Sequence, residues 1–255
     1  MGSFYTATNM MAHLEGANLT AAYLAGACLQ RASFDVKTIF ERAILGNEKH
    51  EFASLVDVRW RDVDLTAIDW LSVKMLGDEH EARQRKALSG KVKGGAERLA
   101  EYNAAVRANR QLTLALRSQG LNEEADHFAY LAQLLQRVVW RRQRRLLKYV
   151  FSWFLYLLAG YGYRPLLSLL IYLLMIVGFA AGYYGVTQSL HAQLAPLTWY
   201  EALVLSISSF HGRGFFQAGQ SLGDPVVILA SAEAVFGLLI EISFIATFTQ
   251  RFLGR

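Results

Sequence analysis

The stretch that decides the reading is Ser208-Ser209-Phe210-His211-Gly212-Arg213-Gly214-Phe215-Phe216, a glycine-punctuated turn between two long apolar segments. Residues 166–184 before it carry no charge, and residues 225–248 after it carry only Glu233 and Glu241. Each segment is long enough to cross a hydrocarbon core of ~30 Å. Between them, Thr198 and Glu201 have the spacing of a capping box, which predicts a short helix over 198–209. At ~1.5 Å per residue that helix reaches only half a membrane and must then return. Non-helical backbone at such depth survives only inside protein or beside a water-filled cavity. The sequence therefore predicts a span over 165–186, a re-entrant helix over 198–209, a loop over 210–217 and a second span over 225–250.

Charge placement orients this plan. The chain has 255 residues, 53% of them hydrophobic, and a formal net charge of +5. The excess is not spread as a nucleic-acid surface would be, and no nucleic-acid partner is expected. Arg137, Arg141, Arg142, Arg144, Arg145, Lys148 and Arg164 crowd before the first span, whereas 187–224 contains a single basic residue, Arg213. The positive-inside rule then places both termini in the cytoplasm of an integral protein of the cell membrane, of the bacterial inner-membrane type. The lone Cys28 excludes an internal disulfide and fits a reducing compartment. Residues 1–18 lack the charged and apolar regions of a cleavable signal peptide.

The first part of the chain repeats every five residues: Ala12-x-Leu14, Ala17-x-Leu19, Ala22-x-Leu24, Ala27-x-Leu29, Ala32-x-Phe34. The pattern returns as Ala53-x-Leu55, Val58-x-Trp60, Val63-x-Leu65 and Ile68-x-Trp70. Neither a helix nor a strand has this period, so a small and a large apolar residue must turn inward once per repeat. Between the blocks, 35–52 breaks the rhythm; Ile39, Phe40, Ala43 and Ile44 fall at helical spacing and predict a helical insertion.

Residues 71–97 are polar and basic with paired glycines, the composition of a linker. Two amphipathic helices follow within 98–145, with Gly120 between them, forming a hairpin read as a spacer or oligomer contact. Residues 146–163 are too short to span. They are rich in aromatics and follow Arg141, Arg142, Arg144, Arg145 and Lys148, so a helix lying on the inner leaflet against lipid headgroups is expected.

Two resemblances follow from these residues. Residues 1–70, with units such as Ala17-Asn18-Leu19, resemble the pentapeptide-repeat family, which implies a right-handed quadrilateral β-helix. Residues 164–255 resemble two-transmembrane potassium channels, whose filter reads T-F-T-T-V/L-G-Y-G-D. Ser209 and Phe210 stand at T-F and Gly214 at the first glycine. His211 and Gly212 replace the threonines, Arg213 the aliphatic residue, Phe215 the tyrosine, Phe216 the second glycine and Gln217 the aspartate. The resemblance implies an oligomeric pore, fourfold in such channels, with permeating ions as its cargo. The departures argue against potassium selectivity, because Phe216 lacks the backbone freedom a filter glycine supplies. Arg213 either faces the axis, where it would repel cations, or pairs with Glu233 behind the loop.

Glu233 and Glu241 are costly at membrane depth and therefore candidate functional residues. Gly237 stands where such channels bend, with close helix packing as the alternative, and Thr247 lies where the helices would converge. No cofactor, metal or catalytic group is expected: the six histidines lack ligand spacing, and one cysteine cannot build a zinc site. The fold class expected is thus mixed, a short β-helix and helical hairpin followed by an α-helical two-span module. The alternative to conduction is a membrane scaffold whose repeat domain binds a cytoplasmic protein.

Overall fold

The computed structural model describes residues 11–46, 51–87, 90–160, 165–189, 196–213 and 221–252; at 158, 159, 165, 166, 246, 247 and 250–252 it describes the backbone alone. The chain divides into two compact units, Met1–Val150 and Phe151–Arg255.

The first unit opens on the repeats. A turn falls in every repeat, and one residue between turns pairs with the next winding: His13 with Ser33, Asn18 with Ile39, Tyr23 with Ile44, Cys28 with Ser54, Ser33 with Arg59. Each pairing is a parallel two-bond exchange, as where Leu19 N–H donates to the Ile39 carbonyl (2.8 Å) and Ile39 N–H to that of Ala17 (3.0 Å). The inward residues are those the five-residue period selected; Ala32, Phe34, Ala53, Leu55, Val63 and Leu65 are all buried.

The expected β-helix is corrected by this geometry. Among the described residues there is no strand and no sheet, and most of the chain is helical. The reason is the turn spacing. A side bounded by turns at both ends leaves a single residue to pair, so isolated bridges form and consecutive ladder pairs do not. The segment is a stack of turns around an apolar core.

The expected helix within 35–52 is also absent from the described part of that segment, 35–46 and 51–52, where the turns continue. Thr38, Phe40, Ala43 and Leu45 are buried as the next inward pairs. Two features hid them: an extra residue between Phe34 and Phe40, and a threonine at the small inward position. The Thr38 hydroxyl is satisfied there by donating to the Leu14 carbonyl (3.0 Å).

Residues 71–97, expected to be a linker, contain structure that closes the stack. After a one-turn 3₁₀ helix, Trp70–Ser72, comes α1, Gly77–Arg83. At its start Asp78 accepts the Leu55 N–H (2.5 Å) and the Gln30 side-chain N–H (3.2 Å). Burial pushes the Asp78 carboxyl up to about 6. A Cβ at Gly77 would collide with the Phe52 carbonyl, so the glycine is there for close approach.

Helices α2, Gly95–Ser118, and α3, Asn122–Arg142, form the predicted hairpin, with Gly120 at φ 77° stopping α2. It is not a separate spacer. Leu112, Leu116, Ala125 and Phe128 share one apolar core with the stack. Gln111 accepts the Asp57 N–H (2.9 Å); Gln119 accepts the Leu65 N–H (2.8 Å) and donates to the Val63 carbonyl (2.6 Å). These glutamines occupy backbone groups that a further winding would otherwise have paired. An aromatic row ties the two parts together: Phe34–Trp60 at 5.6 Å, Trp60–Trp70 at 6.3 Å and Trp70–Phe128 at 5.9 Å between ring centroids.

In the second part of the chain lie α4, Leu146–Ala159, α5, Pro165–Ser189, α6, Trp199–Phe210, and α7, Pro225–Phe252. Leu167–Ser189 and Pro225–Ile245 are long and apolar enough to cross a membrane, each with mean hydropathy 2.0. In an 18-residue apolar stretch of each, only 17% and 33% is buried within the chain, unlike the core helix of a water-soluble fold.

Candidate functional site

Helix α6 packs against both long helices and is half their length. Its start is the predicted capping box: the Glu201 carboxylate accepts the Thr198 N–H (2.8 Å) and the Thr198 hydroxyl (2.6 Å). Its apolar face divides between two clusters. Phe210 packs with Ile176 of α5 and Ile240 of α7, while Ala202 packs with Tyr183 of α5 and with Val226 and Ala230 of α7.

The end of α6 is where the sequence placed the loop. Ser209 and Phe210 are buried in the last turn, His211 caps it, and Gly212 follows at φ 67°. A left-handed glycine just past a helix is an ordinary helix stop. The Arg213 N–H donates to the Ser208 carbonyl (2.8 Å) and its side chain is exposed. Gly214, Phe215, Phe216 and Gln217 lie outside the described residues.

Gly237 of α7 receives the end of α6. A Cβ there would collide with the Phe210 carbonyl oxygen, so the glycine permits a close helix approach. One turn earlier, Glu233 is fully buried. Its carboxyl meets the Tyr183 hydroxyl of α5 (2.6 Å) and the Ser206 hydroxyl of α6. Of the two expectations for Arg213, the pairing with Glu233 is therefore not formed. Sequence reasoning missed Tyr183 and Ser206; the available signal was a hydroxyl on each apolar helix at the depth of a buried acid.

Glu241 is half-exposed, on the edge of the same seam. Its Oε1 lies 3.5 Å from Nε2 of His211. The His211 Nδ1 sits 2.9 Å from the Ile207 carbonyl, which can only accept, so Nδ1 carries hydrogen. An ion pair with Glu241 then requires a second proton on the ring. Beneath the pair is an apolar cavity of about 180 Å³ lined by Leu169, Tyr172, Ile240 and Phe244. Thr247 lies within α7, its side chain outside the description. Of the basic cluster, Arg141, Arg144, Arg145 and Lys148 are exposed, and Arg142 lies 5.1 Å over the Tyr102 ring. The apolar Leu146, Leu147, Val150, Phe151 and Trp153 of α4 are exposed as well, whereas Ser152 is buried.

Comparison with known proteins bears on the repeats alone. A family model described as pentapeptide repeats (8 copies) matches residues 11–35. No curated protein and no solved structure matches the chain.

Proposed function

We propose that the chain is a subunit of an oligomeric membrane ion channel, built on the plan of two-transmembrane potassium channels but with a different filter. The observation that carries this reading is α6, a half-length capped helix seated between two helices of spanning length and ended by a glycine turn. A homotetramer fits the resemblance. The apolar face of α7 that the chain leaves uncovered, Val235, Leu238, Ile242 and Ile245, supports packing against other copies, lipid or a dry pore. The exposed cations from Arg141 to Lys148, together with the exposed apolar residues of α4, support an interfacial helix and cytoplasmic termini. Potassium selectivity is not expected, since Phe-His-Gly-Arg-Gly-Phe-Phe-Gln at 210–217 lacks the second filter glycine and both threonines.

The same filter chemistry favours a second reading, a non-conducting membrane scaffold whose repeat unit recruits a cytoplasmic protein. Ion flux from salt-loaded proteoliposomes separates the two. Flux above that of empty vesicles supports the channel; silence across voltage, pH and tension overturns it in favour of the scaffold.

A further inference from the structure

The buried acid in the seam has partners whose hydrogens can be counted. The Tyr183 hydroxyl, on α5, is 2.6 Å from Oε2 of Glu233. The Ser206 Oγ, on α6, is 2.5 Å from Oε1 and also 2.9 Å from the Ile176 carbonyl oxygen of α5. Each hydroxyl owns one hydrogen, and a carbonyl can only accept. Ser206 therefore cannot donate to both Ile176 and Glu233. One more hydrogen satisfies every contact, and its place is Oε1. The acid then donates to Ser206, Ser206 donates to Ile176, and Tyr183 donates to Oε2.

Two further observations point the same way. No cation pairs with Glu233 among the described residues, and an uncompensated charge is strongly disfavoured in an apolar interior. The end of α6, where a helix presents its negative pole, lies against Gly237 one turn away, a poor setting for an anion. The groups facing Glu233 are Tyr183 from α5 and the non-titrating Ser206 from α6. On α7 itself the next acid, Glu241, faces His211 instead.

We propose that Glu233 is held as a neutral carboxylic acid and serves as a proton-bearing clasp that joins α5, α6 and α7 through the chain Tyr183 to Glu233 to Ser206 to Ile176. The clasp does not depend on ion conduction. Glu233→Gln reproduces it, because an amide N–H can donate to Ser206 while the amide oxygen accepts from Tyr183. Glu233→Asp, one methylene shorter, cannot reach both.

Infrared spectroscopy of the full chain in detergent, in D₂O at pH 7, tests this. The expected result is a protonated-carboxyl carbonyl band that Glu233→Gln removes without lowering the melting temperature, and that Ser206→Ala shifts upward as the acid loses its acceptor. Identical carboxyl bands in the wild type and Glu233→Gln overturn the proposal. Should Glu233→Gln fail to fold, Ser206→Ala decides alone: an unmoved band overturns it.

Discussion

Asp78 in the first unit and Glu233 in the second are both buried acids that hold separate segments together, but their partners differ in kind. Asp78 meets N–H groups, which can only donate, so its acceptor form fits, while burial and, to a lesser extent, the neighbouring Glu81 carboxylate oppose the charge. Glu233 meets hydroxyls, which donate and accept, so a chain of hydrogens can run through it. Against backbone N–H groups a carboxylate can serve as a cap even when buried. Between apolar helices the same group is better used as a neutral link. The apolar parts differ as well: the first unit buries aromatic residues in one core, whereas the two helices of spanning length in the second leave most of their apolar stretches unburied within the chain.

That contrast sets the order of expected effects. Phe34→Ala, at one end of the aromatic row and fully buried, should cost the first unit about 3–5 kcal/mol in denaturant unfolding while leaving the second unit's helices intact. A loss below about 1 kcal/mol would mean the row is not the core. Gly77→Ala and Gly237→Ala each push a Cβ into a backbone carbonyl, and about 1–3 kcal/mol of destabilisation is expected in the unit that carries the change. Equal effects of either variant on both units would erase the division between them.

The acid of the first unit makes a pH prediction. Asp78 ordinarily titrates at 3.8 and is raised to about 6 in the folded chain. The folded state therefore binds the extra proton between those values. The stability from this group is complete below about pH 4 and is lost as pH rises through about 6, by up to roughly 3 kcal/mol. Asp78→Asn should flatten that slope in thermal melts taken from pH 4 to 7; an unchanged slope would assign it elsewhere. The smallest effect is at the turns. Arg31 adopts φ 61° where neighbouring turns place Gly16 and Gly26. Arg31→Gly should stabilise the stack by about 0.5–1 kcal/mol and Gly26→Ala should do the reverse, as melting temperatures would show.

What the sequence made legible was whatever local rules decide. The alternation of small and large residues marked the inward positions, Thr198 and Glu201 marked the start of α6, and the uncharged runs marked α5 and α7. What it hid depended on partners distant in the chain. Thr38 fits inside because Leu14 lies across the winding. The hairpin closes the stack through Gln111 and Gln119, polar residues whose partners Asp57 and Leu65 each lie 54 positions away. Glu233 was visible as an anomaly, but its hydroxyl partners lie 50 and 27 positions away, and no spacing rule connects them. Strand pairing was over-read, because the five-residue period dictates where side chains point and says nothing of how many consecutive residues pair.

Whether α6 and the loop after it line an ion path is decided by the single-channel reversal potential under asymmetric KCl, for wild type and Arg213→Val. Discrete currents with weak potassium preference are expected from the wild-type protein, with a shift of the reversal potential toward the potassium equilibrium value once the exposed cation is removed. Discrete currents whose reversal potential is the same in both proteins would contradict a place for Arg213 on that path, and no currents from either would contradict the path itself.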